Sequence, residues 1–406
     1  MITAILWSEI GSKEGAIIVA ITIQTLAAVV KRIPLGTNLG LVRLMWAMLS
    51  GSFVASRGGL FPALLLSGFS QEEIRGSWCA FRYGQWSITR LLSAWREHVE
   101  GEGQWQPHVY EGYKPVAVDI TGFFRPRLQG WFAKVYHSVV GRALSGIGLG
   151  LIVEVGAVAE QRFALPRSIL RSKHESGSDK ALKAATLKGL RGQLKDDELA
   201  MFDAGFKGAE LPAAGVERFI VRQASNCSAR RNYLPAYKGR GAKAKYGELL
   251  RPLTRTHKEH SLTASRPDET SSFECEGRMI QVHLWHELLS ADQKPSATQQ
   301  TFSLMVFFDP WYKQPLILAV NLALSPASLF LLYRDRWAVE QVPLAAKQML
   351  GLNHSFVFNP ESICRLPELA LLTGNILSYL AATLAAIPTG FWDTHPKKHQ
   401  VAYAGL

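Results

Sequence analysis

The chain has 406 residues, 48% hydrophobic and 19% charged. That excludes a disordered or collagen-like protein and leaves apolar surface for two or three domains of ~150 residues each. Lys and Arg total 45 against 33 Asp and Glu, a formal net charge of +12, which points to a polyanionic partner, nucleic acid or an acidic membrane surface. The four cysteines, Cys79, Cys227, Cys275 and Cys364, lie far apart with no C-x-x-C pair, which is neither a disulfide scaffold nor a clear zinc pattern and reads as a cytosolic protein with reduced thiols.

In chain order, residues 15–30 are uncharged but include Thr22, Gln24 and Thr25 and fall short of the ~20 apolar residues a membrane span needs. The basic pair Lys31-Arg32 follows this run, whereas a signal peptide carries its basic residues first. Residues 315–332 are interrupted by Asn321 and Pro326, so no membrane span is expected. Residues 1–108 read as helical. Ser70 with Glu73 three positions later forms a capping box and predicts a helix to about Arg82; a turn at Tyr83-Gly84-Gln85 and a second helix from Ser87 to His98 follow. Two short helices about a glycine turn suit a helix-turn-helix DNA reader with Arg90 and Arg96 as DNA contacts; an ordinary helical hairpin is the commoner reading.

From Pro115 the texture changes. Val116, Val118 and Ile120 alternate around Asp119 and predict a strand, followed by strand candidates at 131–140 and 147–155 in an antiparallel meander. A basic helix with Lys180, Lys183, Lys188 and Arg191 comes next, then a strand from Ala200 to Phe202 ending at Asp203, and another from Glu217 to Arg222. Three strands, a helix, a strand and further α/β texture is the order of a ribonuclease-H-like core. Residues 227–300 turn basic and rich in Gly, Pro, Ser and Thr; from Lys238 to His260 seven basic residues face two acidic ones, a solvated face or an inserted subdomain touching DNA phosphates. Strand texture returns at 302–308 and 316–320.

Ser325-Pro326 is an N-cap followed by Pro at the first helical position. On one helix, Tyr333, Arg336, Glu340 and Lys347 fall within an arc of ~60°. A phenol, a guanidinium, a carboxylate and an ammonium on one face suit a phosphodiester gripped beside a metal-binding acid. Pro343 is expected to kink or end this helix.

The spacing Y-x2-R-x3-E-x6-K formed by Tyr333, Arg336, Glu340 and Lys347 resembles the signature of a subgroup of bacterial insertion-sequence transposases of the DDE type. The segment around Asp119 resembles that family's first-Asp strand, and Asp203-Ala-Gly205-Phe206 resembles its D-x-G-[FY] motif; the three come in the family's order over about residues 110–390. The resemblance implies an α/β fold: a helical N-terminal DNA-binding region at 1–108, a ribonuclease-H-like core in two parts at 109–226 and 301–390, an inserted, partly β subdomain at 227–300, and a tail at 391–406. It implies that Asp119, Asp203 and Glu340 bind two Mg2+ (or Mn2+) ions, and that the enzyme cleaves transposon ends and joins them to target DNA. It further implies that Tyr333, Arg336 and Lys347 grip terminal phosphates, with Arg222 reaching DNA and an inserted-region aromatic, here Trp285, stacking on a base. The partners implied are double-stranded DNA and a second copy in a homodimer, with no nucleotide cofactor and no membrane, in a bacterial cytoplasm at the nucleoid.

Structural alternatives stand beside these assignments. A lone buried Asp119 would be costly without a function; Asp203 could be a turn residue, with Asp196 or Asp197 in its place; Glu340 could simply pair with Arg336; Trp285 is most simply a core residue. His283 and His286 lack a recognised further metal ligand, and His137 reads as packed. Trp337 and Leu332 are expected to bury the back of the helix, and 367–387 an apolar core helix. The alternative functions are an inactive transposase-derived DNA-binding protein and a basic peripheral membrane protein.

Overall fold

Apolar residues at helical spacing and well-capped starts turn the first hundred residues into a run of helices. The structure, a computed structural model, describes residues 13–34, 36–131, 133–137, 139–171, 178–237 and 239–386; the tail at 391–406 and Lys238 lie outside the described residues. Among those described, no helix is long and apolar enough to cross a membrane. The chain is a mixed α/β protein of two units. Unit 1 comprises the residues up to His108, Asp119–Thr186 and those from Trp337; unit 2 comprises Val109–Val118 and Leu187–Arg336.

Unit 1 opens with α1 (Lys13–Lys31), α2 (Gly40–Leu49), α3 (Ser52–Ala55), α4 (Leu60–Leu66), α5 (Gln71–Tyr83) and α6 (Ile88–Gly101). The capping box of α5 forms: Ser70 Oγ accepts from the Glu73 N–H, and the Glu73 carboxylate accepts from the Ser70 N–H. Ser87 caps α6 in the same way, accepting from the Arg90 N–H. The α5–α6 pair is a helical hairpin set into a core. α6 buries Leu91, Leu92, Trp95 and Val99, and its solvent face shows Thr89, Arg90, Ser93, Glu97 and Glu100, where Glu97 pairs with Arg32 and Glu100 with Arg96. Arg96 pairs with Glu154 at 2.8 Å, so of the two expected DNA contacts only Arg90 is exposed.

The strands of unit 1 are β1 (Trp105–Pro107), the second part of β2 (Lys114–Phe124), β3 (Lys134–His137), β4 (Arg142–Val158) and β5 (Gln161–Arg171). β1, β3 and β5 each pair antiparallel with β4, and β4 also neighbours β2. Among the described residues of the stretch expected at 131–140, only β3 is strand. β5 was not anticipated, because Pro166 sits inside it; Pro166 pairs with Val153 where the register slips, the irregular position at which a ladder tolerates a residue without N–H.

Unit 2 carries α7 in its last residues (Asp179–Arg191 overall), β6 (Glu198–Phe202), α8 (Glu210–Ala213), β7 (Phe219–Arg222), β8 (Ala229–Arg231), β9 (Leu249–Leu250), a β10–β11 hairpin (Arg255–His257, His260–Leu262), β12 (Glu269–Cys275), β13 (Arg278–Ser290), β14 (Phe302–Phe308), β15 (Leu316–Val320) and α9 (Pro326–Asp335). Its sheet runs β2-β6-β7-β15-β14-β13-β8-β9, with β12 also on β13. β2, β6 and β7 are parallel; the rest pair antiparallel. Because β13 hydrogen-bonds to β14, the 227–300 stretch continues this sheet instead of standing as a body of its own.

The chain returns to unit 1 with α10 (Ala338–Leu344), a π turn at Ala345–Met349 and α11 (Pro360–Thr383). α11 is buried along most of its length. Asn375 on α11 accepts from Trp95 Nε1 at 2.8 Å and donates to the Ala164 carbonyl of β5 at 2.7 Å. Arg365 donates to the carbonyls of Phe81, Arg82, Gly84 and Trp86, closing the end of α5 and the turn after it. Replacing Asn375 with Leu strands a buried donor and a buried acceptor at once. Asn375→Leu is expected to lower stability by about 2–4 kcal/mol, read as a lower urea midpoint; an unchanged midpoint would show that the amide bridges nothing.

Candidate functional site

β2 alternates its side chains, so Asp119, Thr121 and Phe123 share one face. In unit 1 that face meets Lys347. The Lys347 ammonium donates to Thr121 Oγ1 at 2.6 Å and lies over the Phe123 ring, 5.1 Å from its centroid. Thr121 and Phe123 are buried and Asp119 is half-buried. Burial pushes the Lys347 pKa down to about 8, against the opposing pull of the Asp119 charge.

What places Lys347 there is a departure from a regular helix. The signature residues do not share one unbroken helix: α9 ends at Asp335, the Arg336 and Glu340 N–H groups bond three residues back to Tyr333 and Trp337, and α10 begins at Ala338. Pro343 lies inside α10, and the turn after it widens to π, with the Leu350 N–H reaching the Ala345 carbonyl at 3.0 Å. The kink expected at Pro343 thus takes the form of a π turn at 345–349. Gly374 of α11 lets that turn approach: a Cβ at Gly374 would lie 2.8 Å from the Ala346 nitrogen. Glu340, half-buried on α10, belongs to the same unit as Asp119 and Lys347.

Unit 2 gathers the other expected residues. Asp203 follows the last residue of β6, and its Oδ1 accepts from the Gly205 N–H at 3.0 Å. A Cβ at Gly205 would stand 2.9 Å from that same oxygen, which gives the D-x-G spacing a steric reason. Phe206 packs on Phe202, ring centroids 4.9 Å apart. β6 and β7 pair Phe202 with Val221, so Asp203 and Arg222 are the next residues on neighbouring parallel strands. The Arg336 guanidinium lies 5.6 Å from the Tyr333 ring centroid. Burial raises the Tyr333 phenol above the usual tyrosine range; the Arg336 and Arg222 charges pull it down and the Asp203 charge pushes it up. Tyr333, Arg336, Arg222 and Asp203 are therefore electrostatic neighbours.

The three acids are divided: Asp119 and Glu340 belong to unit 1 and Asp203 to unit 2. Among the described residues no group of three or more His, Cys, Asp or Glu is gathered to hold a metal ion. The donor chemistry nevertheless suits a hard divalent cation, since three carboxylates offer only oxygen. Trp285 does not offer a stacking face: it is fully buried, and its indole N–H donates to the Arg266 carbonyl at 2.8 Å. His283 and His286 lie on strand β13, not a helix; His286 contacts Glu269 at 3.0 Å. Trp337, expected to be buried, is 54% exposed.

Sequence reasoning missed Thr121, the Lys347 partner, because a Thr beside an Asp in a strand carries no signal of its own. It also missed what anchors α9. Arg334 pairs with Glu276 at 2.9 Å, and Arg278 pairs with Glu276 and with the buried Asp309. Buried Asp335 accepts from the Tyr110 hydroxyl at 2.6 Å.

The folded Lys347 pKa, about 8, lies below its ordinary 10.5, so the unfolded chain holds this proton more tightly and the group's contribution to stability rises with pH across that window. In metal-free protein, the stability difference between parent and Lys347→Met is therefore expected to shift in the parent's favour between pH about 8 and about 10.5, read from urea midpoints; a difference flat with pH would show that the ammonium is not desolvated. No family model matches the chain, and no curated protein matches it.

Proposed function

We propose that this chain is a DDE-type DNA transposase with a ribonuclease-H-like core, which binds transposon ends, cuts them and joins them to target DNA. The observation that carries the reading is the ordered set Asp119, Asp203 and Tyr333/Arg336/Glu340/Lys347, of which Asp203, Tyr333 and Arg336 are neighbours in unit 2, with Arg222 among them, and Asp119 and Lys347 are neighbours in unit 1. The strand order supports it. In unit 2 the first part of β2 pairs parallel with β6, and β6 with β7, the pairing that crossover connections produce.

In this reading Asp119, Asp203 and Glu340 would hold two Mg2+ or Mn2+ ions, which supply charge neutralisation at the phosphate under attack. The chain's own cations do the gripping. Arg222, exposed at the end of β7, presents its guanidinium to phosphate oxygens, which it binds bidentately, and Arg336, buried beside Tyr333, adds positive charge nearby. Tyr333 packs beneath Arg336 and limits its rotamers. Lys347, held on Thr121, places a positive charge on the Asp119 face of β2 and orients a phosphate there as a point charge.

Asp119→Asn, Asp203→Asn and Glu340→Gln are each expected to lower Mg2+-dependent cleavage by about 10³-fold or more, while binding survives. The substrate is a duplex bearing the short inverted repeats expected to flank the gene. Binding of that duplex is expected to weaken steeply with salt. Normal cleavage by any one variant removes that residue from the reaction.

A second reading, a transposase-derived DNA-binding protein without catalysis, is favoured by one observation: no three-carboxylate group is gathered among the described residues. It expects the same salt-sensitive binding with no cleavage in Mg2+ or Mn2+ by the parent protein.

A further inference from the structure

A cleft of about 430 Å³ in unit 1 is lined by Phe124–Leu128, just past the end of β2, and by 354–358, the extended segment before α11. Its lining combines three basic side chains, Arg125, Arg127 and His354, with exposed aromatic surface: Phe356 is 59% and Phe358 71% exposed. Large apolar side chains this open to water are costly unless something covers them.

The two walls are fixed to each other. Arg125 Nη1 donates to the Val357 carbonyl at 2.6 Å, its N–H bonds to Ser145 of β4, and its guanidinium lies 5.4 Å from the Phe358 ring centroid. Val357 between the two phenylalanines is buried. The backbone of His354 lies so close to Gly58 that a Cβ there would stand 2.1 Å from the His354 carbonyl oxygen. The Arg125–Val357 bond thus holds the two walls of the cleft together.

Charge names its occupant. No acidic residue occurs from Ile120 to Val153, a stretch holding Arg125, Arg127, Lys134 and Arg142; none occurs from Gln341 to Pro360 either. Both walls are drawn from acid-free sequence, and one carries Arg125 and Arg127, a lining suited to a polyanion. Arginine beside open aromatic rings is the combination that binds single strands, phosphate on the cation and base on the ring. A paired base offers its face only to its stacked neighbours, so rings in a cleft select unpaired nucleotides.

We infer that the Phe124–Leu128/His354–Phe358 cleft is a binding site for unpaired nucleotides of a DNA strand, with Arg127 on phosphate and Phe356 and Phe358 on bases. The inference deepens the transposase reading by adding a single-strand subsite six residues along the chain from Asp119. Binding itself requires no cleavage.

The test is fluorescence anisotropy of the full chain with a labelled oligo-dT of about 20 nucleotides. Phe356→Ala and Phe358→Ala are each expected to weaken binding about 5- to 100-fold. Arg127→Ala is expected to lower the log–log salt slope by about 0.7. Tyr83→Ala, at an exposed aromatic elsewhere in unit 1, is expected to bind as the parent does. All these side chains are exposed, so their replacement spares the core. Parent-like affinity in both phenylalanine variants overturns the inference. So does loss of binding to phosphatidylserine vesicles with oligo-dT binding intact, which makes the cleft a lipid site. If the phenylalanine variants lose oligo-dT while the parent never cuts DNA, the cleft stands and the catalytic reading falls; parent cleavage with indifferent phenylalanines gives the reverse.

Discussion

Lys347 is an ammonium taken most of the way out of water, and the arrangement of unit 1 around it follows from what that costs. A buried cation without compensation would shed its proton or unfold its surroundings. Here Thr121 accepts its hydrogen bond and Asp119 supplies opposite charge from the same strand face. Both partners lie on β2 because a strand repeats its facing every two residues. To reach them the Lys347 backbone leaves α-helical register through a π turn, and that turn needs Gly374 bare on α11. One charged contact therefore ties together a strand, an irregular turn and a buried helix. Such irregularity is a local cost, and it persists only where the surrounding packing over-determines it.

Unit 2 meets a different problem, that of holding guanidinium groups near a carboxylate without letting them neutralise it. Its solution is topological. Parallel β6 and β7 bring their ends level, so Asp203 and Arg222 emerge side by side. α9 then delivers Tyr333 and Arg336 into the same neighbourhood. The helix is held from behind by independent ion pairs: Arg334 uses Glu276, Arg278 uses Glu276 and Asp309, and Asp335 takes the Tyr110 hydroxyl. The acids that anchor α9 are thus other than Asp203, which leaves Arg222 and Arg336 as its cationic neighbours.

Strong local signals made much of this legible in advance. Ser70, Ser87 and Ser325 are caps whose geometry depends on three or four residues, and each starts a helix as expected. The alternation around Asp119 and the short apolar run before Asp203 gave β2 and β6. Long-range chemistry stayed hidden. β5 was masked by Pro166, which is tolerated where the β4–β5 register slips at Arg167 of the same strand. The 227–300 stretch looked like an insertion because its apolar residues are sparse, yet β13 completes a sheet with β14, a pairing no local pattern encodes. The helical wheel assumed one straight helix from Tyr333 to Lys347; the structure breaks it after Asp335 and widens it after Pro343. Trp285 illustrates the limit most simply, since the same indole serves as a stacking surface or as core filler according to neighbours that the sequence does not name.

The net charge of +12 gains meaning only when its distribution is considered. Residues 239–260 of the basic run are mostly exposed, loop-rich chain; such charges raise encounter rates with a polyanion but fix no geometry. On the exposed face of α6, the helix expected to read DNA, Glu97 and Glu100 pair with Arg32 and Arg96, which leaves little net charge there to draw a phosphate backbone. By contrast, the acid-free stretch from Ile120 to Val153 starts directly after Asp119 and contains β3 and much of β4, with Lys134 and Arg142 at the ends of the β3–β4 pairing. Asp119 is followed by more than thirty residues without another acid, so positive charge is concentrated next to that carboxylate along the chain. That juxtaposition, more than the total charge, gives the basic composition a direction.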